Sequence, residues 1–160
     1  MIIDLNYLLN AGLNISDEID EEKLERAIFT AEQTVVKQRL GYDLYISILD
    51  AIEDEDPEYE VILNGGKLED EERKVYISGL KIAEAHIAYS ILLSGNINAT
   101  SFGSTVKLNE EVSRPAGEEH LRRMCMQNME IGLAYLKEIT DWYKIDNRNK
   151  WLPNPIEEFI

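Results

Sequence analysis

Acids and imidazoles are the residues of this chain whose types could carry chemistry. Glu84 and His86 lie two apart, and Glu118, Glu119 and His120 are consecutive. A di-iron carboxylate bundle needs a Glu and a His three residues apart, repeated on facing helices. Residues one or two apart point to different sides of a helix. Neither set fits. His86 reads as a buried or interfacial polar group, and His120 as a first-turn surface residue. The stretch from Asp50 to Glu60 holds seven carboxylates and no basic residue. Around Asp54, Glu55 and Asp56 it lacks the glycine and spaced ligands of an EF-hand, so a solvated loop is the simpler reading. Cys125, between Met124 and Met126, reads as a small core residue. As the sole cysteine it excludes an internal disulfide and a multi-cysteine metal site.

The glycines give no cofactor signature. Gly65-Gly66 is a turn signal without the Lys-Ser/Thr pair of a P-loop. No dinucleotide fingerprint and no nucleophile elbow occurs. The expectation is therefore no catalytic residue, no metal, no cofactor and no enzymatic activity.

The elements that must position these residues are mostly helical. Asp4 opens a short helix to Asn10, and Gly12 follows it. Asp20 can cap a long helix that stops at Gly41, with Ile19 and Leu24 placed for a hydrophobic staple. Its stripe is Leu24, Ile28, Ala31 and Val35. Tyr42 to Ile52 is a shorter helix, and Pro57 starts a further turn that Asn64-Gly65-Gly66 ends. A second long helix is predicted over Glu69 to Leu93, with Tyr76, Leu80, Ala83, Ile87 and Ile91 on one face. Gly79 then falls in its interior, at a cost of about 1 kcal/mol, and with Ala83 forms a flat strip for a partner helix. From Ser101 the period changes to two through Phe102, Ser104, Val106 and Leu108. With Asn109-Glu110-Glu111 as the turn, a β-hairpin inserts at about 97–114. Pro115 opens the last long helix, which is predicted to run to about Tyr143.

The expected fold class is thus mainly α: a bundle of three long helices plus short ones, with one protruding β-hairpin and an extended C-terminal tail. Residues 1–143 form the helical domain and residues 144–160 the tail. Pro153 and Pro155 interrupt regular structure there. The tail reads either as a disordered terminus or as a docking segment; Trp151, Leu152, Ile156 and Phe159, with Pro153, are many large apolar groups for a free tail and favour docking.

With 160 residues, 44% of them apolar, the chain can bury a core. No apolar run is long enough to span a membrane, and the start MIIDLNYLLN lacks the features of a signal peptide, so folding in a reducing cytoplasm is expected. The net charge of −15 argues against tight DNA binding, which needs basic groups to displace counterions. It serves solubility, or an acidic wall past which DNA slides without sticking.

Several spaced motifs resemble the head-tail connector (adaptor) proteins of tailed bacteriophages, most closely the group in phages of Bacteroidetes, including the crAss-like phages. They are Leu63-Asn64-Gly65-Gly66 before an acidic stretch, Tyr76, Gly79-Leu80-Lys81 and Ala88-Tyr89. Ser101-Phe102-Gly103, Val106-Lys107 and Ser113-Arg114-Pro115-Ala116 continue the series. The likeness covers roughly residues 60–143. It implies a structural virion protein of the phage neck, made in the host cytoplasm, that joins the portal to the tail and lines the DNA passage. Such proteins form homo-oligomeric rings, commonly of twelve subunits, and contact the portal protein and further neck or tail proteins. On this expectation Gly79, Ala83, Phe102, Val106 and Leu108 meet a neighbouring subunit or the portal. Trp151, Leu152, Pro153, Ile156 and Phe159 dock on an adjacent ring, and Asp54, Glu55 and Asp56 face the channel. A soluble helical protein-binding module that forms no ring is the alternative. An enzyme with a carboxylate site comes last, because no spaced motif brings the acids together.

Overall fold

The computed structural model describes residues 1–16, 19–70, 73–95, 106–108, 113–115 and 118–151. It is mainly α-helical. Helix α1 (Leu5–Asn10) is capped by Asp4, whose carboxylate accepts the Tyr7 N–H at 2.7 Å. Helix α2 (Glu21–Ala31) is capped by Asp20, which accepts from the Glu22 N–H. It passes through a π-helical turn (Glu32–Val36) into α3 (Lys37–Leu40), so one long rod ends at Gly41 with φ +81°. Helix α4 (Tyr42–Glu53), a 3-10 turn (Pro57–Tyr59) and α5 (Glu60–Asn64) follow.

The π turn corrects the stripe expected on the first rod. Ile28, Glu32, Val36 and Leu40 are buried, four residues apart each time, while Val35 is only half-buried. A regular α-helix advances about 100° per residue, so strict fours would drift around it. The looser i→i+5 winding of a π turn absorbs that drift.

The largest departure from the sequence reading lies at residues 66–79. Instead of the first turns of a helix, strands β1 (Gly66–Asp70) and β2 (Arg73–Ile77) pair antiparallel, Gly66 opposite Ile77 and Asp70 opposite Arg73. Helix α6 spans Leu80–Gly95. Val75, Tyr76 and Ile77 suit a pleated strand. Ile77 faces the core, and Tyr76 is 75% exposed rather than on a buried helix face. Gly79 is not inside a helix. At φ +102° it turns the chain into α6, where its carbonyl accepts the Ala83 N–H.

A second hairpin pairs β3 (Val106–Leu108) with β4 (Ser113–Pro115), in the region expected for it. Phe102 and the predicted turn at 109–111 lie outside the described residues. Helix α7 spans Glu118–Trp151, past the predicted end at Tyr143. The apolar period fades after Tyr143, but polar residues still favour helix. Beyond Trp151 in the sequence, Pro153 disfavours helical backbone in the residue before it. Residues 144–151 are thus helical, and Leu152, Pro153, Ile156 and Phe159 lie outside the described residues.

The core sits where α6 lies between α2 and α7. Helix α6 is apolar on nearly every side, and Leu80, Ala83, Ala85, Ile87, Ala88, Tyr89, Leu92 and Leu93 are all buried. That pattern belongs to a helix covered all round. Helix α7 runs antiparallel to it: Ser90 meets Cys125, His86 meets Asn128, Ala83 and Ile87 meet Gly132, and Ser78 meets Glu138.

Candidate functional site

Two residues expected at a subunit interface are buried within the chain itself. Ala83 is fully buried, its carbonyl against Gly132 of α7. A side chain on Gly132 would come within 2.5 Å of Ile87 Cγ1 and 2.8 Å of that carbonyl. Gly79 does mark a close backbone approach, but to a turn rather than a helix. A Cβ there would lie 2.5 Å from the Gly65 nitrogen, and a Cβ on Gly65 would strike the Ser78 carbonyl. Gly79 and Ala83 thus close the chain's own fold and present no strip to a neighbour. The Ser78 N–H donates to Glu138 Oε2 at 2.9 Å and ties the same corner to α7.

The other expected contacts divide by position. Val106 and Leu108 lie in β3, which among the described residues pairs only with β4. Trp151 ends α7. Asp54 and Glu55 are exposed and Asp56 is half-buried. Glu55 and Asp56 line a cleft of about 320 Å³ that also reaches Ile2 and Lys81.

His86 is half-buried. Asn128 Nδ2 donates to the Met124 carbonyl, so Asn128 Oδ1 accepts, 2.9 Å from His86 Nδ1. Nδ1 therefore carries the proton. The Tyr135 ring packs edge-on 5.9 Å away. His120 is exposed in the first turn of α7, and Cys125 is half-buried with its carbonyl accepting from Ser90 Oγ at 2.8 Å. Among the described residues, no three His, Cys, Asp or Glu side chains gather as a metal site, and no helix is long and apolar enough to cross a membrane.

Two features were missed at the level of sequence. The first is a buried acid pair between α6 and the π turn. Glu32 is 2% exposed: its Oε1 accepts from Tyr45 Oη at 2.6 Å and its Oε2 from the Ile2 N–H at 3.0 Å. Glu84 is fully buried, and neither of its carboxylate oxygens has a hydrogen-bond partner. Burial pushes Glu84 up to about 9, and the charge of Glu32 adds to the rise. Burial, with the bond to Glu32, likewise pushes Tyr45 up to about 12. The buried, unpartnered position of Glu84 thus favours its protonated form at neutral pH. The legible signal was an acid inside a helix otherwise apolar on all sides.

The second missed feature is a groove of about 510 Å³ between α2 and the C-terminal end of α6. Lys23, Arg26 and Thr30 line it from α2, and Ile91, Leu92 and Gly95 from α6. Arg26 bonds Glu22 at 2.9 Å, with both side chains 75% exposed, a pair that contributes little and reorients readily.

The described residues define a mainly α-helical protein with two small antiparallel hairpins. The chain belongs to a family of unknown function, DUF6712, whose model matches residues 36–154. No curated protein and no solved structure matches it.

Proposed function

We propose that this chain is a structural virion protein of a tailed-phage neck, forming a ring that joins the portal to the tail and surrounds the DNA passage. The observation that carries the reading is the second hairpin. Strands β3 and β4 stand between α6 and α7 in the chain and, among the described residues, pair only with each other. Each strand has a further edge of backbone donors and acceptors that a neighbour's strand can satisfy. Contacts that are modest singly become strong when repeated around a closed ring. Two of the motifs behind the connector resemblance also meet in space, Gly65 against Gly79, so they hold a corner of the fold. The charge of −15 suits a passage that repels phosphates, with exposed Asp54 and Glu55 as candidate wall residues.

A soluble module that binds one partner is the second reading, and the α2–α6 groove favours it, since a single segment can fill such a groove. The native mass of the full-length protein, followed over a range of concentrations, separates the two. A closed oligomer of about a dozen subunits supports the ring. A monomer at every concentration, with and without portal protein, overturns it. If the ring forms, Phe102→Ala should lower the oligomer fraction more than it lowers the stability of the monomer.

A further inference from the structure

We infer that the groove between α2 and the C-terminal end of α6 receives residues 155–160 of a neighbouring copy of this chain. The inference rests on self-association, the premise of the ring reading, and adds to it the groove, its occupant and the direction of exchange.

Charge complementarity is the first argument. In a chain of net charge −15, this groove brings Lys23 and Arg26 to the rim of an apolar floor made by Ile91 and the buried Leu92. The fitting ligand is a short segment with acids set among large apolar groups. Residues 155–160, Pro-Ile-Glu-Glu-Phe-Ile, have that composition. Ile156 and Phe159 suit the floor, and Glu157 and Glu158 suit Lys23 and Arg26. The acidic run from Asp50 to Glu60 belongs largely to α4 and the turns after it, so it is not a free segment of this kind.

Reach is the second argument, and it decides between the chain's own groove and a neighbour's. Ser90, one residue before the groove wall at Ile91, is level with Cys125, to whose carbonyl it donates. From Cys125 the helix α7 continues unbroken to Trp151 and carries the chain about 39 Å along its axis, at ~1.5 Å per residue. Helix α7 is antiparallel to α6, so this travel leads away from the groove. From Trp151 to Ile156 a fully extended chain covers at most about 18 Å. Ile156 cannot return to its own groove, whereas the groove of an adjacent copy imposes no such limit.

The test uses the full-length chain with Cys125→Ala. One preparation carries Thr30→Cys in the groove, another carries Ile156→Cys, and the two are mixed under mild oxidation. Thr30 is half-exposed and already lines the groove, so its replacement is conservative. The exposed Gln38, as Gln38→Cys, gives the background. The expected result is a disulfide-linked dimer about tenfold above that background. Lys23→Glu with Arg26→Glu in the groove chain should reduce it about tenfold, the worth of two exposed ion pairs. Glu157→Lys with Glu158→Lys in the other chain should restore it. A yield equal to background, indifference to charge reversal, or a cross-linked monomer when both cysteines share one chain would each overturn the inference. Native mass separates this from the ring itself. A large oligomer without the cross-link leaves the ring and removes the exchange; the cross-link in a small oligomer does the reverse.

Discussion

The two ends of α6 are built on opposite plans. At its start Gly79 lies against the backbone of Asn64 and Gly65 so closely that no side chain fits on either glycine, and Glu138 ties the corner to α7. At its end Gly95 has nothing within 4 Å of where a Cβ would stand, and it borders the groove. One end is closed by backbone against backbone, and among the described residues the other meets nothing. A central helix held at one end in this way gives the fold a rigid reference, with the groove at the far end of the same element.

Substitutions can break this contrast or sharpen it. The largest effect is expected from Gly79→Ala. A left-handed alanine costs about 1–2 kcal/mol and forcing backbone apart about 1–3 kcal/mol. A loss near 3 kcal/mol should lower the melting temperature by roughly 10 °C. An unchanged melting temperature would show that the corner is not closed as described.

An intermediate effect is expected at Glu84, one turn into the anchored end. Its folded-state pKa, about 9, exceeds the ordinary value of 4.5. The folded protein therefore holds this proton over a range where the unfolded chain has released it. The resulting stability is fully present below about pH 4.5 and is lost as pH rises towards 9, with a slope of up to ~1.4 kcal/mol per pH unit. Glu84→Gln should flatten that part of the profile in urea titrations at several pH values. A variant that keeps the parental slope would place the dependence elsewhere. The smallest effect is expected from Gly95→Ala, which meets no atom and should stabilise by about 0.5 kcal/mol. A destabilisation there would mean that the open end is filled.

Much of the fold was legible where one residue has one local job. Asp4 and Asp20 cap helices, Gly41 and Gly65 end them, and Pro57 opens a turn. The 66–77 hairpin was not legible because its charges suit two structures. Glu69 with Arg73 and Asp70 with Lys74 are spaced four apart, as helix pairs are, yet the observed register sets Glu69 opposite Lys74 and Asp70 opposite Arg73. Local charge could not decide between them, and the demand for close contact between Gly65 and Gly79 is tertiary. The same holds for the groove, whose basic residues Lys23 and Arg26 and apolar residues Ile91 and Leu92 are 65 to 69 positions apart in sequence. Ala83 and Gly79 were correctly singled out as sites of close packing, but small residues reveal proximity without revealing whose backbone is near.

The π turn at 32–36 has a consequence for how the chain can vary. A helix wound this way has taken in a surplus residue without opening a loop, and the wide turn keeps the two halves of the rod on one face. Removing a single residue between Glu32 and Val36 would let regular winding return, with Ile28, Glu32, Val36 and Leu40 then spaced four, three and four apart, the spacing of one face of an α-helix. In a regular α-helix the same deletion would swing everything downstream by about 100°. Here the rod would lose a residue and still turn Leu40 to the core, so this five-residue stretch is a place where the chain's length can change with little disturbance.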